Sequence, residues 1–284
     1  MSKVKKNEMC FAVKELRVTR GLREAVALKR LNDKQHPHLI RLLATYTYQD
    51  RFHLIFPWAD GNLKEFWEKR SPRLQGENNR LEPVAWMSKQ ILGLSRALKL
   101  IHYCEIDKIN AQGLTADELK RLHGRHGDLK PENILWFRDE DSLQQNSIGV
   151  LKIGDFGFAD FHSKHSKSNV RRSAVEGVTD TYSAPEYDVA QRVSPQFDIW
   201  SFGCILLQFV VWFLNEWGGI EEFSKIRTAE SKGFLFASDN FYSLHTGGTR
   251  GYRAQVKASV SEVSGPCHAK SIVPNIVRAR CLKS

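Results

Sequence analysis

The run Arg125-His126-Gly127-Asp128-Leu129-Lys130-Pro131-Glu132-Asn133-Ile134-Leu135 sets a carboxylate, an ammonium two positions later and an amide three beyond that in one short segment. Those residue types at that spacing suit phosphoryl transfer. The Asp128 carboxylate can orient an attacking hydroxyl and accept its proton, Lys130 can neutralise the moving phosphoryl group, and the Asn133 amide oxygen can ligate Mg²⁺. A strand-like apolar run, Ile134 to Phe137, follows at once. Polar loops of this composition are common, so the segment is judged with what lies downstream.

Three more segments follow in order: Ile153-Gly154-Asp155-Phe156-Gly157, then Ala184-Pro185-Glu186, then Asp198-Ile199-Trp200-Ser201-Phe202-Gly203. Together the four resemble the eukaryotic protein kinase family, serine/threonine type, over about residues 11 to 230. The run Gly124 to Asp128, with Trp136-Phe137 after it, is similar to kinase-like proteins of filamentous fungi. The resemblance implies a two-lobed α+β kinase-like fold with a truncated N-terminal β lobe and a mainly helical C-terminal lobe. On that basis residues 1–60 form the N-lobe and hinge and 61–284 the C-lobe. The catalytic loop is 126–133, the activation segment 155–186, and 231–284 matches poorly.

The same resemblance assigns roles. Lys14 would contact the ATP phosphates and Glu24 would fix it as an ion-pair partner. Asp128 would orient the substrate hydroxyl and Lys130 stabilise the transferred group, with ATP and Mg²⁺ as cofactors and Asn133 and Asp155 as metal ligands. Phe56, Pro57 and Ala59 would border adenine, and Glu186 would pair with an arginine late in the chain, Arg278 or Arg280. Lys130 and Thr179, seven positions before Glu186, fit phosphorylation of protein serine and threonine hydroxyls. His126 and Phe156 would be buried packing residues beneath the site.

The elements that must position these groups are legible in part. Residues 10–16 read as a strand. Residues 19–32 read as a helix with Leu22, Val26 and Leu28 to Leu31 on one apolar stripe, Leu28 facing inward beside Glu24. His36 to Leu43 reads as a loop leading into a strand, Arg51 to Trp58 as a further strand, and 83–103 as a long helix opened by Pro83. Residues 104–124 read as a surface insertion, with a short helical pattern at 116–122. Asp198 to Trp217 reads as a buried helix, and a last helix is expected near Ile272 to Cys281.

Composition narrows the class. Hydrophobic residues are 42% and charged residues 26% of the 284, an ordinary globular balance that excludes a disordered chain. The net charge of +10 comes from lysines and arginines spread along the chain, which argues against a dedicated nucleic-acid surface. Five cysteines without a CxxC pair argue against a disulfide framework and a zinc site. The lysine-rich start lacks the apolar core of a signal peptide, and the apolar run Cys204 to Leu214 is too short to span a bilayer. A soluble protein of the cytoplasm or nucleus is therefore expected, with no membrane partner.

Two departures from the family keep rival readings open. No glycine precedes Lys14, so the glycine-rich hairpin that covers ATP phosphates is expected to be missing or reduced to one strand. Only ten positions separate Lys14 from Glu24. A catalytically impaired scaffold protein and a truncated kinase gene product are the alternatives to an active kinase. Gly127 stands where the family has an arginine, which argues against control by a phosphate on the activation segment.

Overall fold

The computed structural model describes residues 2–6, 9–72, 81–103, 122–138, 148–163, 170–171, 180–190, 192–231, 238–246 and 252–264. The chain forms two compact units, Met1–Phe66 with Leu81–Asn169, and Trp67–Arg80 with Val170–Ser284. This grouping differs from the expected boundary at 60/61. Backbone hydrogen bonds explain why the Asp128 and Asp155 segments group with the N-terminal sheet. Ile40 N–H donates to Ile153 O at 2.9 Å and Ile153 N–H to His38 O at 2.8 Å.

The first unit opens with β1 (Ser2–Lys6) and β2 (Met9–Arg17). With β3 (Ala44–Tyr48) and β4 (Arg51–Pro57) they form an antiparallel sheet in the order β1-β2-β4-β3. Strand β4 is covered on both faces, with Phe52, His53, Leu54 and Phe56 all buried, so its sequence is nearly continuous in apolar residues instead of alternating.

Helix α1 (Val18–Asn32) starts at the residue after β2 ends, which absorbs the short Lys14–Glu24 spacing. It buries Gly21, Glu24, Ala25, Ala27, Leu28 and Leu31. Leu28 is fully buried as expected, but Leu22 and Val26 are each 49% exposed, so the expected stripe is corrected to the Ala25–Leu28–Leu31 side. The register is fixed by close approach: a Cβ at Gly21 would lie 2.5 Å from Phe52 Cδ1. Residues 36–43 are loop, where a strand was expected to begin. Asn32 holds this loop by accepting from Leu42 N–H and donating to Leu42 O, leaving β3 to begin at Ala44.

A second, three-stranded sheet has the order β5-β7-β8, from β5 (Gly61–Asn62), β7 (Ile134–Phe137) and β8 (Val150–Ile153). Strands β6 (Leu122–Arg125) and β9 (Asp160–Ser163) pair beside it. Leu122 thus opens a strand where a helical pattern was expected to end; residues 104–121 lie outside the described residues. The short helix α2 (Leu63–Lys69) is N-capped by Asn62, whose Oδ1 accepts from Glu65 N–H at 3.0 Å while its Nδ2 donates to Glu65 Oε1 at 2.9 Å. Helix α3 (Leu81–His102) buries Leu94, Ala97, Leu98 and Ile101 at the spacing its sequence predicts.

The second unit is built on α5 (Pro195–Glu230), which follows the short α4 (Pro185–Val189) and the pair β10 (Val170–Arg171) and β11 (Arg192–Val193). The helix α5 breaks its helical geometry at Glu216, φ 59°. By length and composition it could cross a membrane, yet 56% of its most apolar window is buried, and Asp198, Gln208 and Arg227 on it are buried too. A hairpin of β12 (Tyr242–Thr246) and β13 (Tyr252–Val256) and the helix α6 (Ala258–Ser264) follow. The helix expected at Ile272 to Cys281 and the arginines Arg278 and Arg280 lie outside the described residues.

Candidate active site

All described candidate residues of the site fall in the first unit. Lys14 sits in mid-strand on β2, opposite Leu54 of β4, so its backbone is anchored on a central strand. Its ammonium donates to both oxygens of Glu24, at 2.7 and 2.8 Å, and to Asp155 Oδ1 at 2.6 Å. Glu24 is buried on α1, and burial raises its pKa above the ordinary carboxylate range despite the Lys14 charge. Asp155 shifts the other way. Burial opposes its charge, but the Lys14 ammonium and the hydrogen bonds from Lys14 and Gly157 together hold its pKa below the ordinary value.

The Asp155 backbone is left-handed, φ 56° and ψ 75°, a conformation costly for a side chain with a Cβ and concentrated at functional sites. Its carboxylate accepts from Gly157 N–H at 3.2 Å, closing the turn over Phe156. Phe156 is buried and packs edge-on against His126, ring centroids 5.2 Å apart. His126 Nε2 donates to Gly154 O at 2.8 Å, joining the two loops; His126 and Phe156 are the buried pair the resemblance implies.

The second loop is held by its own side chains. Gly127 has φ 82°, which glycine tolerates without a Cβ penalty. Asp128 Oδ2 accepts from Lys130 Nζ at 2.9 Å and from Asn133 Nδ2 at 3.0 Å. Asn133 Nδ2 also donates to Asp128 O at 2.8 Å, and Asn133 O accepts from Gly154 N–H at 2.8 Å. Pro131 starts the 3-10 turn Pro131–Asn133, where its missing N–H costs nothing. Asp128, Lys130 and Asn133 thus converge, and a main-chain bond ties them to the segment that carries Asp155.

An open cleft of about 380 Å³ lies against this constellation. It is lined by Ala12, Ile40 and Leu135, by Phe56, Pro57, Trp58, Ala59 and Asp60 at the end of β4, by Gly61, Asn62 and Glu65, and by Asp155. The expected Phe56, Pro57 and Ala59 are all there. Trp58 and Asp60, expected in the hinge with Pro57 and Ala59, line it too, while Asn62 and Glu65 were missed, although the Asn-x-x-Glu capping pattern was a visible signal for them. Arg20, one turn before Glu24, was also missed: a Cβ at Gly157 would lie 3.2 Å from its Nη2. Thr179 lies outside the described residues. Asp155 and Asn133 present oxygen donors of the kind Mg²⁺ takes alongside nucleotide phosphates; after the contacts above, Asp155 Oδ2 and Asn133 Oδ1 remain as donors that fit a hard cation.

The protein kinase domain family model matches residues 2–214, and the chain belongs to that family. Cyclin-dependent kinase 2 of Caenorhabditis elegans is 30% identical over 185 residues, 65% of this chain and 40% of that protein. The leucine-rich repeat receptor protein kinase EMS1 of Arabidopsis thaliana is 29% identical over 208 residues, 72% of this chain and 15% of that protein. The human SNF-related serine/threonine-protein kinase is 27% identical over 177 residues, 62% of this chain and 18% of that protein. The chain therefore spans less than half the length of these relatives.

Proposed function

We propose that this chain is a serine/threonine protein kinase that moves the γ-phosphoryl group of Mg·ATP to a protein serine or threonine hydroxyl. The observation that carries this reading is Lys14, bonded at once to Glu24 and Asp155 beside an apolar cleft. In the proposed reaction the cleft takes the base, and Lys14, steadied by Glu24, meets the α- and β-phosphates. Asp128 accepts the hydroxyl proton as the substrate oxygen bonds to the γ-phosphorus and the bond to the β-phosphate oxygen breaks, releasing ADP. Lys130, already 2.9 Å from Asp128, neutralises charge on the transferred group. Mg²⁺, held by Asp155 and Asn133, would supply charge neutralisation at the phosphates. Serine/threonine preference rests on Lys130 at its place in the loop and on the names of relatives such as the SNF-related kinase.

The test is transfer of labelled γ-phosphate from Mg·ATP to a generic basic protein and to the chain itself, beside Asp128→Asn. Label from the parent and at least a hundredfold less from Asp128→Asn is the expected result. No label from a folded parent would sink the reading and favour a non-catalytic binding protein.

A further inference from the structure

Trp58, in the wall of the cleft, has a partner outside it that the kinase reading does not assign. In the four-stranded sheet Lys3 of β1 is the direct partner of Ala12, and Ala12 of Phe56. Residues directly opposed across strands project from the same face of a sheet. Ala12 and Phe56 line the cleft, so Lys3 stands on the cleft face as well. Its ammonium lies 4.7 Å from the centroid of the Trp58 ring. Trp58 is itself a lining residue, one position past the end of β4. The Lys3–Trp58 contact therefore crosses over β2 and joins the edge strand β1 to the segment that follows β4.

We propose that Lys3 and Trp58 form a clasp that positions the heteroaromatic base of a bound nucleotide, with Lys3 acting through Trp58. The proposal rests on the nucleotide reading of the cleft. The sheet offers the cleft the small Ala12 side chain, and β1, paired to β2 beside Ala12, is tied to the Trp58 end of the cleft by the Lys3 contact. An ammonium over an indole face is an attractive contact that does not require burial. It fixes the plane of the ring and the position of β1 before ligand enters, and such preorganisation raises affinity by removing an ordering cost.

The experiment is calorimetric binding of Mg·ADP and, separately, adenosine to the full chain, to Lys3→Ala, Trp58→Ala, the double variant and Lys3→Arg. Lys3→Ala should weaken both ligands alike, by about two- to fivefold, the size of an exposed cation–π contact. Lys3→Arg should restore affinity, Lys3→Ala should add nothing in the Trp58→Ala background, and the unliganded melting temperature should fall by no more than about 4 °C, the size of the lost contact. Unchanged affinity in Lys3→Ala, full additivity with Trp58→Ala, or a loss confined to Mg·ADP would each overturn the clasp, the last by showing a phosphate contact. Binding of neither ligand by the folded parent would overturn the nucleotide reading and the clasp with it.

Discussion

Lys14 Nζ lies 2.6 Å from Asp155 Oδ1, a contact between residues 141 positions apart in the chain. The same ammonium holds Glu24, so one cation answers two carboxylates from two different elements. That arrangement links the strand β2, the helix α1 and the loop after β8.

Lys14→Met should abolish phosphoryl transfer and also destabilise the fold. Removing one member of a buried pair strands the other, at about 3–5 kcal/mol. Glu24 escapes part of that cost by taking up a proton, since burial already raises its pKa above 4.5. The folded state then binds more protons than the unfolded state above pH 4.5, so the variant's stability falls as pH rises. Urea unfolding should show a larger loss at pH 8 than at pH 5. Equal losses at both would contradict a buried, uncompensated Glu24.

Gly93→Ala should destabilise by about 1–3 kcal/mol through overpacking. A Cβ at Gly93 would lie 2.0 Å from His38 Nε2. His38 is buried, and its Nδ1 donates to Leu151 O at 2.7 Å, so the ring cannot retreat without losing that bond. The measurement is the midpoint of chemical denaturation, with exposed Leu92→Ala as the comparison, expected to change little.

Lys257 should set the alkaline limb of stability. It is 3% exposed, and burial with the nearby Arg227 charge lowers its pKa from 10.5 to about 8. Between those values the unfolded state binds more protons than the folded state, so stability should rise with pH from about 8 towards 10.5. Below pH 8 the full cost of burying the charge is present. Lys257→Met should flatten the rise, although it gives up the bonds from Nζ to Arg227 O, Ser238 O and Asn240 Oδ1. An unchanged slope in the variant would assign the rise to another group.

Asp239→Asn should cost roughly 2–3 kcal/mol, below the usual range for a broken buried pair because Asp239 is partly exposed. Its carboxylate accepts from Thr181 Oγ1 at 2.5 Å and from Ser224 Oγ at 2.9 Å, and lies 3.7 Å from the fully buried Arg227 guanidinium. Arg227 lies over the rings of Phe223 and Phe241, at 4.1 and 4.2 Å, which gives it apolar cover but no counter-charge. Thermal unfolding of Asp239→Asn should therefore occur below that of the parent, and a second change, Arg227→Met, should recover part of the loss. A double variant less stable than Asp239→Asn would show that the stacked guanidinium matters more than its charge balance.

The sequence alone determined the family and, from spacing and residue type, Asp128, Lys130 and Asn133 as a candidate set; the α+β class and the candidates Lys14, Glu24 and Asp155 followed from the family resemblance that the four motifs carry. The sequence also placed α3, expected to be striped by Met87, Ile91, Leu94, Leu98 and Ile101; the last three are buried at that period, while Met87 and Ile91 are half-buried. It misjudged α1. There the apolar Leu22 and Val26 face outward, while Gly21, with no side chain, lets the helix close on Phe52.

Only the tertiary structure decided how those candidates meet. Asp155 reaches Lys14 through a left-handed turn that nothing in its local sequence demands, and the cleft face of Lys3 follows from strand register. The grouping of the Asp128 and Asp155 segments with the N-terminal sheet likewise follows from pairing between His38, Ile40 and Ile153. The Lys14–Asp155 and His38–Ile153 contacts join residues more than a hundred positions apart, and no periodicity within a segment encodes them. Their geometry arises when backbone donors and acceptors from separate segments satisfy one another in a shared core.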